Sequence, residues 1–379
     1  ELYNLETKDI ATSSVVDTVN SIERIGIEQY DKFVKERLVD RSVQIDAPIP
    51  KNKLALFSTP APKTKSKSDF EKATLTSNCN LYSNLYVSSL SRGGDLSNFF
   101  KHENQAYPPS LTKMGEMRST KKSDLVDCLM EGYVPTPKPN FDAAVLDGAA
   151  IVNMLVPIRG QTFHQYAMNT FMPYVKSYQA GRIDIVWDVY LENSLKEHAR
   201  EKRGTGKRRK VEPNVQVPYN WSDFLRDSQN KTELFAFLSS IIASYECDKI
   251  LVSTNGSEVH TNKPNVLNIT DIQDCNHEEA DTRIALHVKH AQDSGYKDVL
   301  IRTVDTDVLV LMISQSHVLS EGEVWVLFGK GISNKYINVH TIANNIGLEK
   351  AKGLPVFHAF TGCDNVSSLS TIGKKTAWN

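Results

Sequence analysis

The sequence predicts an α/β fold with a mostly parallel central sheet flanked by helices. Two observations predict it. From about Phe141 onward, short apolar runs alternate with helical patterns, the order that parallel strands require because each crossover carries a helix. Several of these runs end in an aspartate, and in an open α/β sheet ligands gather beyond the C-terminal strand ends.

The strands read in order are residues 143–146, 183–187, 250–252, 299–304 and 324–328. Between the first two, Phe163, Tyr166, Ala167, Phe171, Tyr174 and Tyr178 fall on one face of a long amphipathic helix. Between the third and fourth, Ile284, Ala285, Val288 and Ala291 mark another. No internal repeat is present. Residues 1–140 form a partly irregular N-terminal extension, with Ile27, Tyr30, Phe33, Val34 and Leu38 on one helical face. A flexible linker is expected near residues 59–68, where Pro, Ser, Thr and Lys leave nothing to bury. A second helix around residues 81–90 stops at Gly93-Gly94, and Asp95 caps a short third.

With 379 residues the chain accommodates one large core, residues 141–379, and an added module. It starts on Glu1 and ends at Asn379 just after a helix start, so it is expected to be a piece of a longer protein. Lys and Arg number 44 against 45 Asp and Glu, so net charge does not by itself predict a polyanion partner. The five widely spaced cysteines form no Cys-x-x-Cys pair and read as reduced thiols. No apolar run approaches the roughly 18 residues of a membrane span, and an intracellular protein without a membrane partner is expected.

Seven carboxylates are the candidate site. Asp147, Asp188, Asp305 and Asp307 follow strands directly; Glu279 and Asp281 open a helix; Asp364 lies in the loop after residues 354–360. The pairs Glu279/Asp281 and Asp305/Asp307 share i, i+2 spacing, which on an extended segment points both side chains the same way. Taken singly, an aspartate after a strand is more often a turn or helix cap. Gathered together, such groups repel one another unless a cation intervenes. Mg²⁺ or Mn²⁺, hard ions that take oxygen ligands, answers that need, and two such ions about 3.5–4 Å apart clamp a phosphodiester.

Residues 196–210 hold eight basic residues (Lys196, Arg200, Lys202, Arg203, Lys207, Arg208, Arg209, Lys210) against Glu197 and Glu201, a local balance of +6 that suits phosphate contact. Lys207-Arg208-Arg209-Lys210 also has the composition of a nuclear localisation signal, which favours the nucleus over the cytoplasm. At Ile372-Gly373-Lys374-Lys375, backbone N–H groups open a helix, an arrangement that binds phosphate, with Gly373, Lys374 and Lys375 as contacts.

Three blocks of this chain resemble the flap-endonuclease family of structure-specific 5′ nucleases, within the PIN-like group. Glu279-Ala280-Asp281 is similar to its Glu-Ala-Glu pair, and Thr303-Val304-Asp305-Thr306-Asp307 to its Thr-Glu-Asp-x-Asp segment. Thr361-Gly362-Cys363-Asp364 through Ile372-Gly373-Lys374-Lys375-Thr376-Ala377 resembles its Gly-x-Asp and following helix-hairpin turn. Leu146-Asp147-Gly148 and Val186-Trp187-Asp188 are similar to its first two aspartates. His277-Glu278-Glu279-Ala280-Asp281 also resembles a signature of animal proteins often associated with transposons.

The resemblance spans about residues 141–379 and implies a PIN-like fold with a helix-hairpin start at about 361–379. It further implies a basic arch-like insertion at about 190–230, with Lys196 and Arg200 at the reacting phosphate and Arg203 beside them. The seven carboxylates would then hold two Mg²⁺ or Mn²⁺ ions, and the protein would cleave phosphodiester bonds in DNA or RNA. The chain departs from the family at Thr371 (usually Gly), Asp281 (Glu) and Cys363 (Ser or Asn).

Three other readings compete. One is a catalytically inactive nucleic-acid binding or scaffolding protein on the same fold. Another is a phosphatase with Asp305 as nucleophile, which leaves Glu279, Asp281 and Asp364 without roles. The last is a zinc site from Cys275, His277, His287 and His290, whose spacing is poor.

Overall fold

The computed structural model describes residues 2–5, 8–50, 52, 54–56, 67–99, 101, 108–113, 116–190, 194, 206–273, 275–319 and 321–379. Seven strands form the main sheet: β1 (Ala143–Asp147), β2 (Arg182–Val186), β3 (Ile250–Asn255), β4 (Glu258–Thr261), β5 (Val299–Thr303), β6 (Val324–Phe328) and β7 (Lys335–Asn338). Their spatial order is β4-β3-β2-β1-β5-β6-β7. The five inner strands are parallel, and an antiparallel hairpin strand closes each edge.

The alternation along each strand separates two cores. Ala144 and Leu146 of β1, with Ile183 and Ile185 of β2, face Phe163, Tyr166, Phe171, Phe224, Leu234 and Leu238. Ala143 and Val145 face Ile284, Val288, Val308, Leu309 and Ile313 on the other side. A parallel sheet needs cover on both faces, and these helices supply it. The order reverses at β1, which pairs with both β2 and β5, so the cleft beyond the ends of these strands is the switch point where doubly wound sheets bind ligands.

The expected long helix runs from Phe163 to Lys176. It opens on a Thr162/Gln165 capping box and passes through a wider π turn at Ala167–Phe171 before Pro173. The second expected helix is α-helical from Ala280 to Asp293. Four further helices go beyond those expected: Ser228–Ser244, Thr306–Ser314, Val339–Ile346 and Leu348–Phe360.

Within the extension, helices run over Ser13–Phe33 and Lys67–Ser91. Asp95 does cap the short helix Leu96–Phe99, accepting from the Ser97 amide at 2.8 Å. The predicted linker lies outside the described residues except Lys67 and Ser68, which open the second helix. The last part of the extension belongs to the core, since Leu125 and Leu129 of the helix Ser123–Leu129 are buried among the residues packed on β1 and β5. Ser110, Arg118 and Thr120 are also clipped to the loop at 361–370. Ser370 N–H donates to Ser110 O at 2.8 Å, Ser368 N–H to Arg118 O at 2.9 Å, and the Thr120 hydroxyl to Thr361 O at 2.8 Å.

Behind the sheet face, Arg182 grips Asp184 through two bonds of 2.7 Å, and His287 Nδ1 meets the same carboxylate at 2.7 Å. All three side chains are fully buried. Burial pushes the Asp184 carboxyl up, but the Arg182 charge and the His287 bond outweigh it and hold it at about 2. His290 completes this network against Arg182 and the Asn268 carbonyl, so His287 and His290 serve the core rather than the zinc reading.

Candidate metal centre

Asp147 ends β1 and caps the helix Gly148–Met154, accepting from the Ala150 amide at 2.9 Å and from the Thr303 hydroxyl at 2.9 Å. Gly148 is required here: a Cβ would lie 2.3 Å from the Trp187 ring. That close approach lets Trp187 pack on Phe171 and Phe235 and brings the end of β2 beside the end of β1. Asp188 follows, accepting from the Ala280 amide at 3.0 Å and the Tyr190 hydroxyl at 3.3 Å.

Glu279 and Asp305 each stand at the N-cap of a helix, and Asp281 and Asp307 at its second position. The i, i+2 pairs therefore straddle helix starts and do not lie on extended segments as their spacing suggested. The cap and site readings hold together, because Asp305 accepts from the Asp307 amide at 2.9 Å while its carboxylate still faces the cleft. Carboxylate oxygens of Asp281, Asp305 and Asp307 lie within 4.8 Å of one another. A cleft of about 360 Å³ is lined by Asp147, Asp188, Glu279, Asp281, Asp305 and Asp364. The seven carboxylates picked out in the sequence thus come together.

Burial raises the Asp281 carboxyl to about 8, with the charges of Asp305, Asp147 and Asp188 adding to it. Asp147 is raised to about 7 by burial and by the Asp188 charge, and Asp305 is raised for the same kinds of reason. Asp307 goes the other way. Burial would raise it, but His358 Nε2 at 2.9 Å and Lys122 Nζ at 2.8 Å hold it down at about 2. Lys122 also reaches Asp364 at 3.0 Å and Asp305 at 3.8 Å. Burial lowers the affinity of this ammonium for its proton, yet the surrounding carboxylates more than offset that and keep it charged well above the ordinary lysine range.

The donor chemistry fits a hard cation. Among the described residues, the cleft lining contains carboxylates and no thiolate or imidazole, the set that Mg²⁺, Mn²⁺ or Ca²⁺ takes and that Zn²⁺ does not favour.

The basic candidates are placed differently from expectation. Lys196, Arg200 and Arg203 lie outside the described residues. Lys207 and Arg209 pair with Asp9 at 2.5 and 3.2 Å, and Arg208 is gripped by Glu233 and Asn230. Lys210 pairs with Glu212 at 2.9 Å. Lys207 and Arg209 thus tie the first residues of the chain to the sheet domain, and the ion pairs of all four side chains compete with phosphate.

Gly373 does precede a helix, Lys374–Trp378. Lys374 is only 1% exposed, however, and its Nζ donates to His358 Nδ1 at 3.0 Å, His358 O at 3.1 Å and the Thr361 hydroxyl at 3.1 Å. The predicted phosphate contact at Lys374 is therefore corrected to a buried strut. An imidazole nitrogen that accepts from Lys374 leaves Nε2–H to donate to Asp307, so the strut fixes the orientation of a site carboxylate. Lys375 is exposed and pairs with Asp127 at 2.9 Å.

Two lysines of the cleft wall were missed, Lys231 and Lys330. Lys231 lies over the Tyr190 ring at 4.2 Å. Lys330 sits in a turn held by the buried Arg302, which donates to the carbonyls of Leu327 at 2.8 Å and Gly329 at 2.7 Å. The only sequence signal was Gly329-Lys330-Gly331, too short for a phosphate loop.

No family model matches the chain, and a search of curated proteins finds no match either.

Proposed function

We propose that the protein is a divalent-metal-dependent nuclease, hydrolysing phosphodiester bonds in DNA or RNA on a PIN-like core. One observation carries this reading: carboxylates from three strand ends, one helix start and one loop meet in one cleft at the sheet's switch point, with two of them raised to about 7 and 8. A structural acidic patch spreads its charges into solvent. This one concentrates them where burial makes ionisation of Asp147, Asp281 and Asp305 costly, which a bound cation reverses.

Asp147, Asp188, Asp281 and Asp305 are the residues to hold Mg²⁺ or Mn²⁺, with Glu279, Asp307 and Asp364 around them. The bound ion would supply a hydroxide at neutral pH and offset charge on the phosphate. Lys330 and Lys231 line the same cleft, within reach of an anionic ligand entering it. The resemblance to flap endonucleases in the segments carrying Asp147, Glu279, Asp305 and Asp364 supports nucleic acid over other phosphodiesters, and a nuclear location agrees with such a substrate.

The test is cleavage of flap, hairpin and single-stranded DNA and RNA with Mg²⁺ or Mn²⁺. Wild type should cut at least one of them, and Asp305→Ala/Asp307→Ala should lose about 100-fold or more of that rate. Equal behaviour of the two proteins on every substrate sinks the proposal. Tight binding of nucleic acid without cleavage would instead favour an inactive scaffold.

A further inference from the structure

Lys122 does not belong to any of the strand-end segments that form the cleft, yet its ammonium enters the carboxylate group. It contacts Asp307 Oδ2 at 2.8 Å, Asp364 Oδ2 at 3.0 Å and Asp305 Oδ1 at 3.8 Å. Its side chain is 22% exposed, and its backbone is fixed from both sides. Immediately before it, Thr120 and Arg118 are clipped to the loop that carries Asp364. Immediately after it, Leu125 and Leu129 anchor the following helix in the core.

This arrangement divides the acidic group into two unlike halves. Asp307 has both oxygens engaged, one by Lys122 and one by His358, and Asp364 shares the same ammonium. Asp147 and Asp188 receive neutral N–H and O–H donors. Asp281 has no ion pair among the described residues, and Asp305 lies between the halves.

Resting on the metal-centre reading above, we infer that Lys122 is a built-in cation in the place of a second divalent ion, so that the centre takes one metal, on the Asp147–Asp281–Asp305 side. An ammonium satisfies the same carboxylates that a second ion needs, and as part of the chain it is not removed by a chelator. It has three N–H donors. Two go to Asp307 and Asp364, and Asp305 at 3.8 Å is beyond hydrogen-bond reach, so one donor remains for a substrate phosphate oxygen. The part of the chain that precedes the sheet thereby completes the site, as a positioning element for both the carboxylates and the substrate.

The experiment is Mn²⁺ binding at pH 7.5 by titration calorimetry and electron paramagnetic resonance on the full chain, comparing wild type, Lys122→Met and Lys122→Arg. Wild type and Lys122→Arg should bind one ion per chain, and Lys122→Met should bind two. The melting temperature of Lys122→Met should also climb more steeply with Mn²⁺ than that of wild type, since a second ion then stabilises the folded state. Two ions on wild type, or one on a folded Lys122→Met, overturns the inference while leaving the metal centre standing. If Lys122→Met fails to fold, Lys122→Gln at raised Mn²⁺ replaces it with the same two expected counts. No Mn²⁺ on any of the proteins overturns the metal-centre reading itself.

Discussion

Asp281 concentrates the conflict built into the cleft. At pH 8.5 its buried carboxyl must ionise beside Asp305, Asp147 and Asp188, whereas asparagine keeps the shape without the charge. Asp281→Asn should therefore raise the melting temperature of the metal-free protein, more at pH 8.5 than at pH 5.5, and lower Mn²⁺ affinity by about 10-fold or more; stability bought at the expense of a site is common. An unchanged melting temperature together with unchanged metal binding would place Asp281 outside the centre. Lys330 allows a complementary test at the cleft wall. Lys330→Ala should weaken binding of single-stranded DNA and reduce the slope of log affinity against log salt by about 1, with no change in Mn²⁺ affinity. Thr371 is a different case. Its φ of 68° is the left-handed conformation that glycine adopts freely, at the position where the resembled hairpin turn has glycine. Thr371→Gly should stabilise the fold by about 1 kcal/mol in denaturant titration, and a loss of stability would show that the threonine side chain contributes more than its backbone costs.

Among the elements, β2 is the most committed. It buries an arginine and an aspartate two residues apart on one face, closed by His287 from the neighbouring helix. Asp184→Asn leaves Arg182 charged and unpaired inside the core and should cost about 3–5 kcal/mol by urea denaturation, while leaving the cleft carboxylates in place. The inner strands were legible in the sequence because β-branched and other apolar residues dominate them, although Asp184 in β2 and Arg302 in β5 interrupt the apolar run. The edge strands β4 and β7 were not: each has four residues, with exposed or half-buried positions that break the pattern. Helix Thr306–Ser314 was hidden for the opposite reason, since Val308, Leu309, Met312 and Ile313 are all buried and the apolar residues show no polar face to set a period. The i, i+2 pairs lie at helix starts and not on extended segments; a helix N-cap and its second position also bring two side chains to one end of a helix.

For the whole molecule, the site reads as an electrostatic balance that depends on a cation. Asp147 and Asp281 hold protons in the folded state up to about pH 7 and 8, where the unfolded chain has already lost them near pH 4. Raised folded values mean that these two groups make stability fall as pH rises from about 4 to 8 and level off above that. Asp307 and Asp184 act in the reverse sense, contributing stability that disappears only as pH falls from about 4 towards 2. The metal-free protein should thus melt at a lower temperature at pH 8.5 than at pH 5.5, and 5 mM Mn²⁺, on the order of millimolar saturation for such sites, should narrow that difference; a melting temperature that rises over this range without metal would contradict it. Which carboxylates meet was readable from their positions, at strand ends for Asp147, Asp188, Asp305 and Asp307 and at a helix start or loop for Glu279, Asp281 and Asp364. What neutralises half of them was not, because Lys122 precedes the sheet by twenty residues and nothing in its neighbourhood marks it as part of a site. Lys374 misled in the same way, since a lysine after a Gly turn looks solvated until His358 and Thr361 enclose it.

The central claim is that the cleft between β1, β2 and β5 holds a divalent cation on Asp281 and Asp305, beside Asp147. Anomalous diffraction from crystals grown with Mn²⁺ tests it directly. A manganese peak bonded to Asp281 and Asp305 is the predicted result, and a clean map with no anomalous density in that cleft would contradict it.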